Sequence, residues 1–178
     1  AIIITGETSR KENAAAVLSA LSDFAGDFVV ATAGPDLESV LAAKGSGAVA
    51  YSEKTAKTVL HMDIGGGTSN LALVEDGRII ATMAFIPGPD PTYSVIYEGS
   101  WPDESPYHVI HRIAVAEPGH GAARRLLDWG FGQTSCIRID THKDNVIMHH
   151  ILRKYGFTHC GVILLANGAP REAYQKNL

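Results

Sequence analysis

Cysteine is scarce. Two in 178 residues make no disulfide framework, so a reducing, cytoplasmic setting is expected. No apolar run approaches the ~20 residues a membrane-spanning helix needs, which argues against a membrane role. The opening Ala1-Ile2-Ile3-Ile4 run has no basic segment before it and is too short for a secretory leader. Basic residues are not in excess: 15 Lys and Arg stand against 19 Asp and Glu, for a net charge of −4. With no Lys/Arg stripe, nucleic acid is excluded as the main partner. A 46% hydrophobic and 19% charged composition is too apolar for a disordered chain. What is present suits one ordinary α/β domain or two very small ones.

Along the chain, residues 2–5 read as a buried strand. Ser9 and Glu12 form a capping box before a helical stripe of Ala14, Val17, Leu18, Leu21 and Phe24. Residues 28–31 read as a second strand. A helix opens at Pro35, with Leu37, Val40 and Leu41 facing inward, and ends at Gly45. Residues 58–64 form a strand running into Gly65-Gly66-Gly67. From Leu71 to Phe85 the chain is apolar except at Asp76-Gly77, the pair a two-residue hairpin prefers. Pro87, Pro89 and Pro91 mark a loop, and residues 100–106 another. A long strand at 107–115 leads through Gly119-His120-Gly121 into a helix with Ala123, Leu126, Leu127 and Phe131 inward. Residues 136–140 alternate. Asn145 opens a helix with Met148, Ile151, Leu152 and Tyr155 on one side, stopped by Gly156. A final strand from Thr158 returns at Asn167-Gly168.

Two resemblances meet on one hairpin. Roughly residues 1–73 resemble part of the ethanolamine ammonia-lyase reactivating factors, of the actin/hexokinase-type ATPase superfamily. The matching strings are IIITGETSRKENAAAVLSAL, FVVATAGPDLESVLAAKG and DIGGGTSNLAL. There an Asp-x-Gly-x-Gly-Thr turn wraps ATP phosphates, which maps to Asp63, Gly65, Gly67 and Thr68. The superfamily's second phosphate loop and adenosine segment have no counterpart in this chain.

Roughly residues 71–178 resemble the GNAT acetyltransferases. The strings are VEDGRIIATMAFIPGPDPTY, YHVIHRIAVAEPGHGAARRLLDW and IRIDTHKDNVIMHHILRKYGF. The most specific element is strand, Gly-rich turn, helix, whose exposed amides at a helix N-terminus suit a diphosphate. Pro118 departs from the family pattern at the turn's first position. The chain therefore reads as a chimera with its crossover at the 71–85 hairpin, divided 1–70 and 71–178. The expected fold is mixed α/β: a GNAT-like central sheet with flanking helices, in which the N-terminal fragment replaces the usual first strand and two helices.

The resemblance implies acetyl-coenzyme A as substrate, held by Ile113, Val115, Gly119, His120, Gly121, Ala122, Ala123 and Asn145. It implies acetyl transfer to a small amine or a peptide amine, with the Val115 backbone N–H polarising the thioester carbonyl. His111 and Glu98 are candidate bases, against a structural His and a solvated Glu. The family's Tyr position is Leu152 here, and Tyr155 reads as core. His108 and His111, three apart on a strand, point to opposite faces and cannot chelate together, and no metal site is expected. Cys136 and Cys160 read as buried free thiols. Arg124 and Arg125 suit a 3′-phosphate or a solvated helix face, and Trp101 an acceptor pocket or the core. Two alternatives stand: a folded chimera without catalysis, and a nucleotide-binding reactivase-like module. Edge strands left by recombination make a homodimer a further expectation.

Overall fold

Apolar residues at alternate positions oblige a sheet to bury both faces when each alternate set is apolar, and the middle strands here do so. The computed structural model describes residues 35–178. The capping box at Ser9 and Glu12, the helix at 14–24 and the strands at 2–5 and 28–31 lie outside the described residues.

Among the described residues the order opens with two helices, α1 (Pro35–Gly45) and α2 (Ala48–Thr55), followed by β1 (Val59–Ile64), β2 (Ser69–Glu75) and β3 (Arg78–Pro87). A short 3-10 turn (Pro91–Tyr93) and a long loop lead to β4 (His108–Val115), α3 (Ala122–Phe131), β5 (Cys136–Thr141), α4 (Val146–Lys154), β6 (Thr158–Leu164) and β7 (Pro170–Asn177). Among the described residues all strands join one seven-stranded sheet in the order β1-β2-β3-β4-β5-β7-β6. Every neighbouring pair is antiparallel except β4 and β5. The mixed α/β class is as expected, and the reactivase-like and GNAT-like segments share the one sheet.

The β2–β3 hairpin turns where the sequence says it should. Asp76 and Gly77 have φ of 47° and 70°, the positive pair of a type I′ turn. On β2, Leu71 and Leu73 face a core completed by Leu126 and Leu127 of α3 and Met148 and Leu152 of α4. Ala72 and Val74 face the other way, against Ala43 of α1 and Val49 of α2. Farther along that second face, Tyr93, Val109, Ile163 and Ala173 make a separate cluster under the 88–107 loop. Gly130 lets α3 sit close on the sheet, since a Cβ there would lie 3.3 Å from Ile137 Cδ1.

Two expectations are corrected. Leu37 and Leu41 do not face inward: they are 57% and 50% exposed, while Ser39 and Ala43 are buried. α1 approaches β2 through its small residues, and a close approach leaves its leucines on the flanks. The helix α2 was missed, because its Ala-Val-Ala-Tyr-Ser-Glu-Lys-Thr run carries no long apolar stripe. It begins after Gly47 at φ 82°. A smaller difference is that β3 continues to Pro87, which pairs with His108. A proline is tolerated there, at the strand's last residue.

The 88–107 loop is fastened to the sheet by Arg138, which is 3% exposed. Its guanidinium stands 4.0 Å from the Trp101 ring centroid and 3.9 Å from that of Tyr107. Its Nε donates to Gln175 Oε1 at 2.8 Å and its terminal nitrogen to the Asp103 carbonyl at 3.1 Å. Trp101 also donates to the Tyr93 carbonyl at 3.1 Å, so it covers the core.

Candidate functional site

β4 runs from His108 to Val115 but pairs with β5 only through His108, Val109 and Ile110. The cause lies on its other edge. Against β3, His111 pairs with Ala84 and Ala114 with Thr82, so two β4 residues oppose one on β3. Such a bulge bends a strand and ends pairing. Arg112 sits in it at φ 53°, a left-handed conformation that costs roughly 1–2 kcal/mol for a residue with a Cβ. Beyond the bulge β4 leaves β5 and a fork opens. Ala116 N donates back to Ile80 of β3 at 2.9 Å. Strand alternation then turns the Val115 amide the opposite way, into the fork, whereas Ile113 lies in the bulge beside Arg112.

The fork leads to the Gly-rich turn. Residues 116–121 are all exposed. Gly119 and Gly121 have φ of 94° and 71°, and a Cβ on either would meet nothing within 4 Å. Gly121 caps α3, whose first backbone bond runs from Arg125 N to Gly121 O at 3.1 Å. The chain makes a hydrogen-bonded turn at residues 118 and 119, and among the described residues no acceptor takes the amides of Gly119 and of Gly121 to Arg124. They form the positive end of a helix and are available to an anion. Ala122 is buried and Ala123 half-buried, so these two offer their backbone only. Asn145 heads α4, where its Oδ1 accepts from Met148 N at 3.1 Å.

The surrounding charges are mostly spent on one another. Arg125 pairs with Glu75 at 3.1 Å and Arg124 with Asp128 at 3.6 Å. Thr58 and Arg125 hold the Glu75 carboxyl below its ordinary range. His120 is 3.7 Å from Glu117. A cleft of about 210 Å³ lies on the β3 side of the Gly-rich turn, lined by Glu75, Arg78, Ile80, Glu117 and His120 among others. Its carboxylates suit a diphosphate poorly. The fork, on the β5 side, is the better anion path.

At the base of the fork, on the second face, is a cluster of titratable side chains. His111 Nε2 is 2.9 Å from Asp90 Oδ2, and its Nδ1 is 3.8 Å from Asp140 Oδ1. Tyr93 donates to Asp140 Oδ1 at 2.6 Å and Arg171 to Oδ2 at 2.7 Å. Burial, then the neighbouring Asp140 carboxylate, pushes the Tyr93 hydroxyl well above its ordinary value. The hydrogen bond with His111 holds the Asp90 carboxyl below its ordinary value, against the opposing effect of burial. His111 is therefore not a lone strand histidine. Sequence reasoning missed Asp90, Tyr93, Asp140 and Arg171 because they come from separate elements. The only local signal was the Asp-Pro-Thr cap at Asp90.

The other predicted groups lie elsewhere. Glu98 is exposed at φ 57°, in a stretch whose Tyr97 pairs with Val162 of β6, so it does not join the cluster. His108 points to the opposite face from His111, as expected, and stacks on Phe85 with centroids 4.6 Å apart. Burial lowers its pKa. His149 bonds the Tyr174 hydroxyl at 2.7 Å, and His159 bonds Glu172 at 2.6 Å. Cys136 and Cys160 are buried and free, as expected, and burial raises both thiols. Leu152 is core. Tyr155 is only half-buried, at the far end of α4, with its hydroxyl on Asp128. Burial and Asp128 push its pKa up to about 12. In the Gly65–Gly67 turn, Gly65 N bonds Thr68 O at 2.9 Å and Gly67 N bonds Gly65 O at 2.8 Å. Two of that turn's phosphate donors are thereby spent internally.

Residues 1–88 match the family model of the ethanolamine utilisation protein EutA. The ethanolamine ammonia-lyase reactivases EutA of Salmonella typhimurium and Escherichia coli are each 55% identical to this chain over 82 residues, 46% of its length. The chain spans only 18% of the length of those relatives. A GNAT-family acetyltransferase structure from Streptococcus agalactiae is 37% identical, with a TM-score of 0.56, over 61% of this chain and 65% of its own. The chain is similar to two families at once. Arabidopsis thaliana NAA60, solved with a bisubstrate analogue, has the same fold at 13% identity and a TM-score of 0.50, covering 64% of this chain and 76% of its own. Residues past 88 are about half of the chain, less than the 61% of it the Streptococcus likeness covers. The GNAT-like fold therefore reaches back into the EutA-matched segment, where the chimera's two ancestries overlap.

Proposed function

We propose that the fork and the Gly-rich turn bind acetyl-coenzyme A, and that the site serves N-acetyl transfer to a small amine or a peptide amine. The observation that carries this is one row of unused donors. It begins with the Val115 amide, on the length of β4 that no longer pairs with β5. It continues into the free amides of Gly119 and of Gly121 to Arg124 at the head of α3. An extended pantetheine arm pairs with a free strand edge as an added strand does, and a diphosphate suits a helix N-terminus. The likeness to the Streptococcus agalactiae acetyltransferase supports the same reading.

The thioester supplies a polarised carbonyl and a sulfur leaving group; the chain supplies donors and a base. By the β3 register the run from His111 to Val115 spans only Ala84 to Ala81, about 10 Å at ~3.3 Å per strand residue, and Ile113 lies between them, nearer to His111. A base must come within hydrogen-bond reach of the amine it deprotonates. This favours the Ile113 amide on the carbonyl and the Val115 amide on the pantetheine arm, with His111 as the base. Asn145 and the amides of Gly119, His120, Gly121, Ala122 and Ala123 complete the cofactor contacts. A reducing, cytoplasmic setting fits the two unpaired thiols.

A second reading, binding without turnover, is favoured by the covering of the second face over β1–β3. There α1 and α2, from the EutA-like segment, pack against Ala72 and Val74. They occupy the chain positions of the helices that would otherwise close an acceptor pocket.

Thermal denaturation tests the cofactor binding that both readings share. Coenzyme A at 100 times its Kd stabilises a binding protein by about 2.7 kcal/mol. A shift is expected with coenzyme A and not with Mg-ATP, and the Gly121→Leu variant is expected to lose it. A shift with Mg-ATP alone overturns the assignment. An undiminished coenzyme A shift in Gly121→Leu shows that the cofactor uses another cleft. Thiol release with a panel of amines then separates transfer from binding alone.

A further inference from the structure

His111 makes two unequal contacts. Its Nε2 is at hydrogen-bond distance from Asp90 Oδ2, 2.9 Å, whereas its Nδ1 is 3.8 Å from Asp140 Oδ1, beyond that range. Asp140 is 5% exposed and already accepts from Tyr93 and Arg171. It contributes charge near Nδ1 rather than a proton-holding bond.

Asp90 is pinned at every polar atom the argument needs. Its Oδ1 accepts from Thr92 N at 2.8 Å, capping the 3-10 turn, which leaves Oδ2 for the imidazole. Its own amide donates to the Tyr107 hydroxyl at 3.2 Å, and Tyr107 in turn lies against the buried Arg138. The His111 ring also stands edge-on to Tyr93, with centroids 5.8 Å apart. His111 is the most open of the three titrating partners, its side chain 25% exposed against 14% for Asp90 and 5% for Asp140.

We infer that Asp90 is a positioning residue: it holds the neutral His111 ring as the Nε2–H tautomer and leaves Nδ1 as the atom that takes a proton from the acceptor amine. The inference rests on the acetyl-transfer reading above. A carboxylate that accepts one ring N–H fixes both tautomer and orientation, as in the acid–histidine pairs of hydrolases. The incoming ammonium gives one proton to Nδ1. Its nitrogen then bonds the thioester carbonyl carbon as the carbon–sulfur bond breaks. A second proton from that nitrogen leaves with the sulfur as the free thiol, and the first passes from His111 to water.

The test pairs a spectroscopic readout with a kinetic one. In long-range ¹H–¹⁵N spectra of the whole chain, with His111 assigned by its loss in His111→Gln, the neutral ring is expected as Nε2–H. In Asp90→Asn, the amide retains an Oδ1 for Thr92 N and turns its NH2 toward Nε2. The ring is then expected to switch to Nδ1–H. Turnover is expected to fall by about 10²- to 10⁴-fold, with KM for acetyl-coenzyme A unchanged. An Nδ1–H tautomer in the unmodified chain overturns the proposal whether or not the variant folds. So does an Asp90→Asn variant with unaltered tautomer and rate. Failure of coenzyme A to stabilise the unmodified chain sinks the acetyl-transfer reading separately. The tautomer still decides whether Asp90 orients His111.

Discussion

Asp90 and His111 show how a side chain's surroundings decide its part in a protein. The sequence singles out His111 only as a histidine on a strand before a Gly-rich turn. What distinguishes it from a lone strand histidine is a carboxylate 21 positions earlier, aimed by its own backbone cap. The same pair makes a stability prediction. The hydrogen bond with His111 depresses the folded-state pKa of Asp90 below the ordinary carboxyl value of 3.8. A depressed carboxyl stabilises the fold above the unfolded value and loses that contribution as pH falls through the folded one. Urea midpoints compared between the unmodified chain and Asp90→Asn are expected to differ at about pH 5. That difference shrinks below pH 3.8. A difference that instead grows on acidification contradicts the assigned direction.

Among the elements, β4 carries most of the functional consequence. One extra residue at Arg112 bends it away from β5, and the edge so released has no strand beside it among the described residues. No single residue type in His-Arg-Ile-Ala-Val announces that bulge, since left-handed backbone is usually marked by Gly or Asn. Turns that do need such residues were legible. Asp76-Gly77 and Asn167-Gly168 stand where they were expected, Gly168 at φ 80°. The docking of the 88–107 loop is a third case. A Cβ on Gly99 would lie 2.0 Å from the Cys160 carbonyl oxygen, so Gly99→Ala forces the loop off β6. The variant is expected to lose about 1–3 kcal/mol, the usual range for overpacking. Trp101 fluorescence should shift to the red as its ring leaves Tyr93 and Arg138. An unchanged urea midpoint and emission spectrum count against this account of the loop.

At the scale of the whole molecule, a segment similar to EutA and a segment similar to GNAT acetyltransferases share one set of backbone hydrogen bonds. β2 and β3 join them: Leu71, Leu73, Met83 and Phe85 belong to the core with α3 and α4, and Ala72 and Val74 to the core with α1 and α2. A sheet buried on both faces by both segments is expected to open as one unit. Native-state hydrogen exchange should therefore give the central amides of β2 and β4 the same opening free energy, within about 1 kcal/mol. Exchange of β2 at a distinctly lower free energy, with β4 still protected, means that the two ancestries remain separate folding units.

The sequence by itself determined the strands and helices whose signals are local: alternation, caps, the hairpin pairs and the Gly-rich turn ahead of α3. It also determined the two ancestries, because their motifs lie in continuous strings. The tertiary structure alone decided that both segments form one sheet, that α1 packs through Ser39 and Ala43 rather than its leucines, and that His111 lies between Asp90 and Asp140. These depend on distances between residues far apart in the chain. Such distances are set by how closely elements approach and where a strand bends, and no local pattern records them.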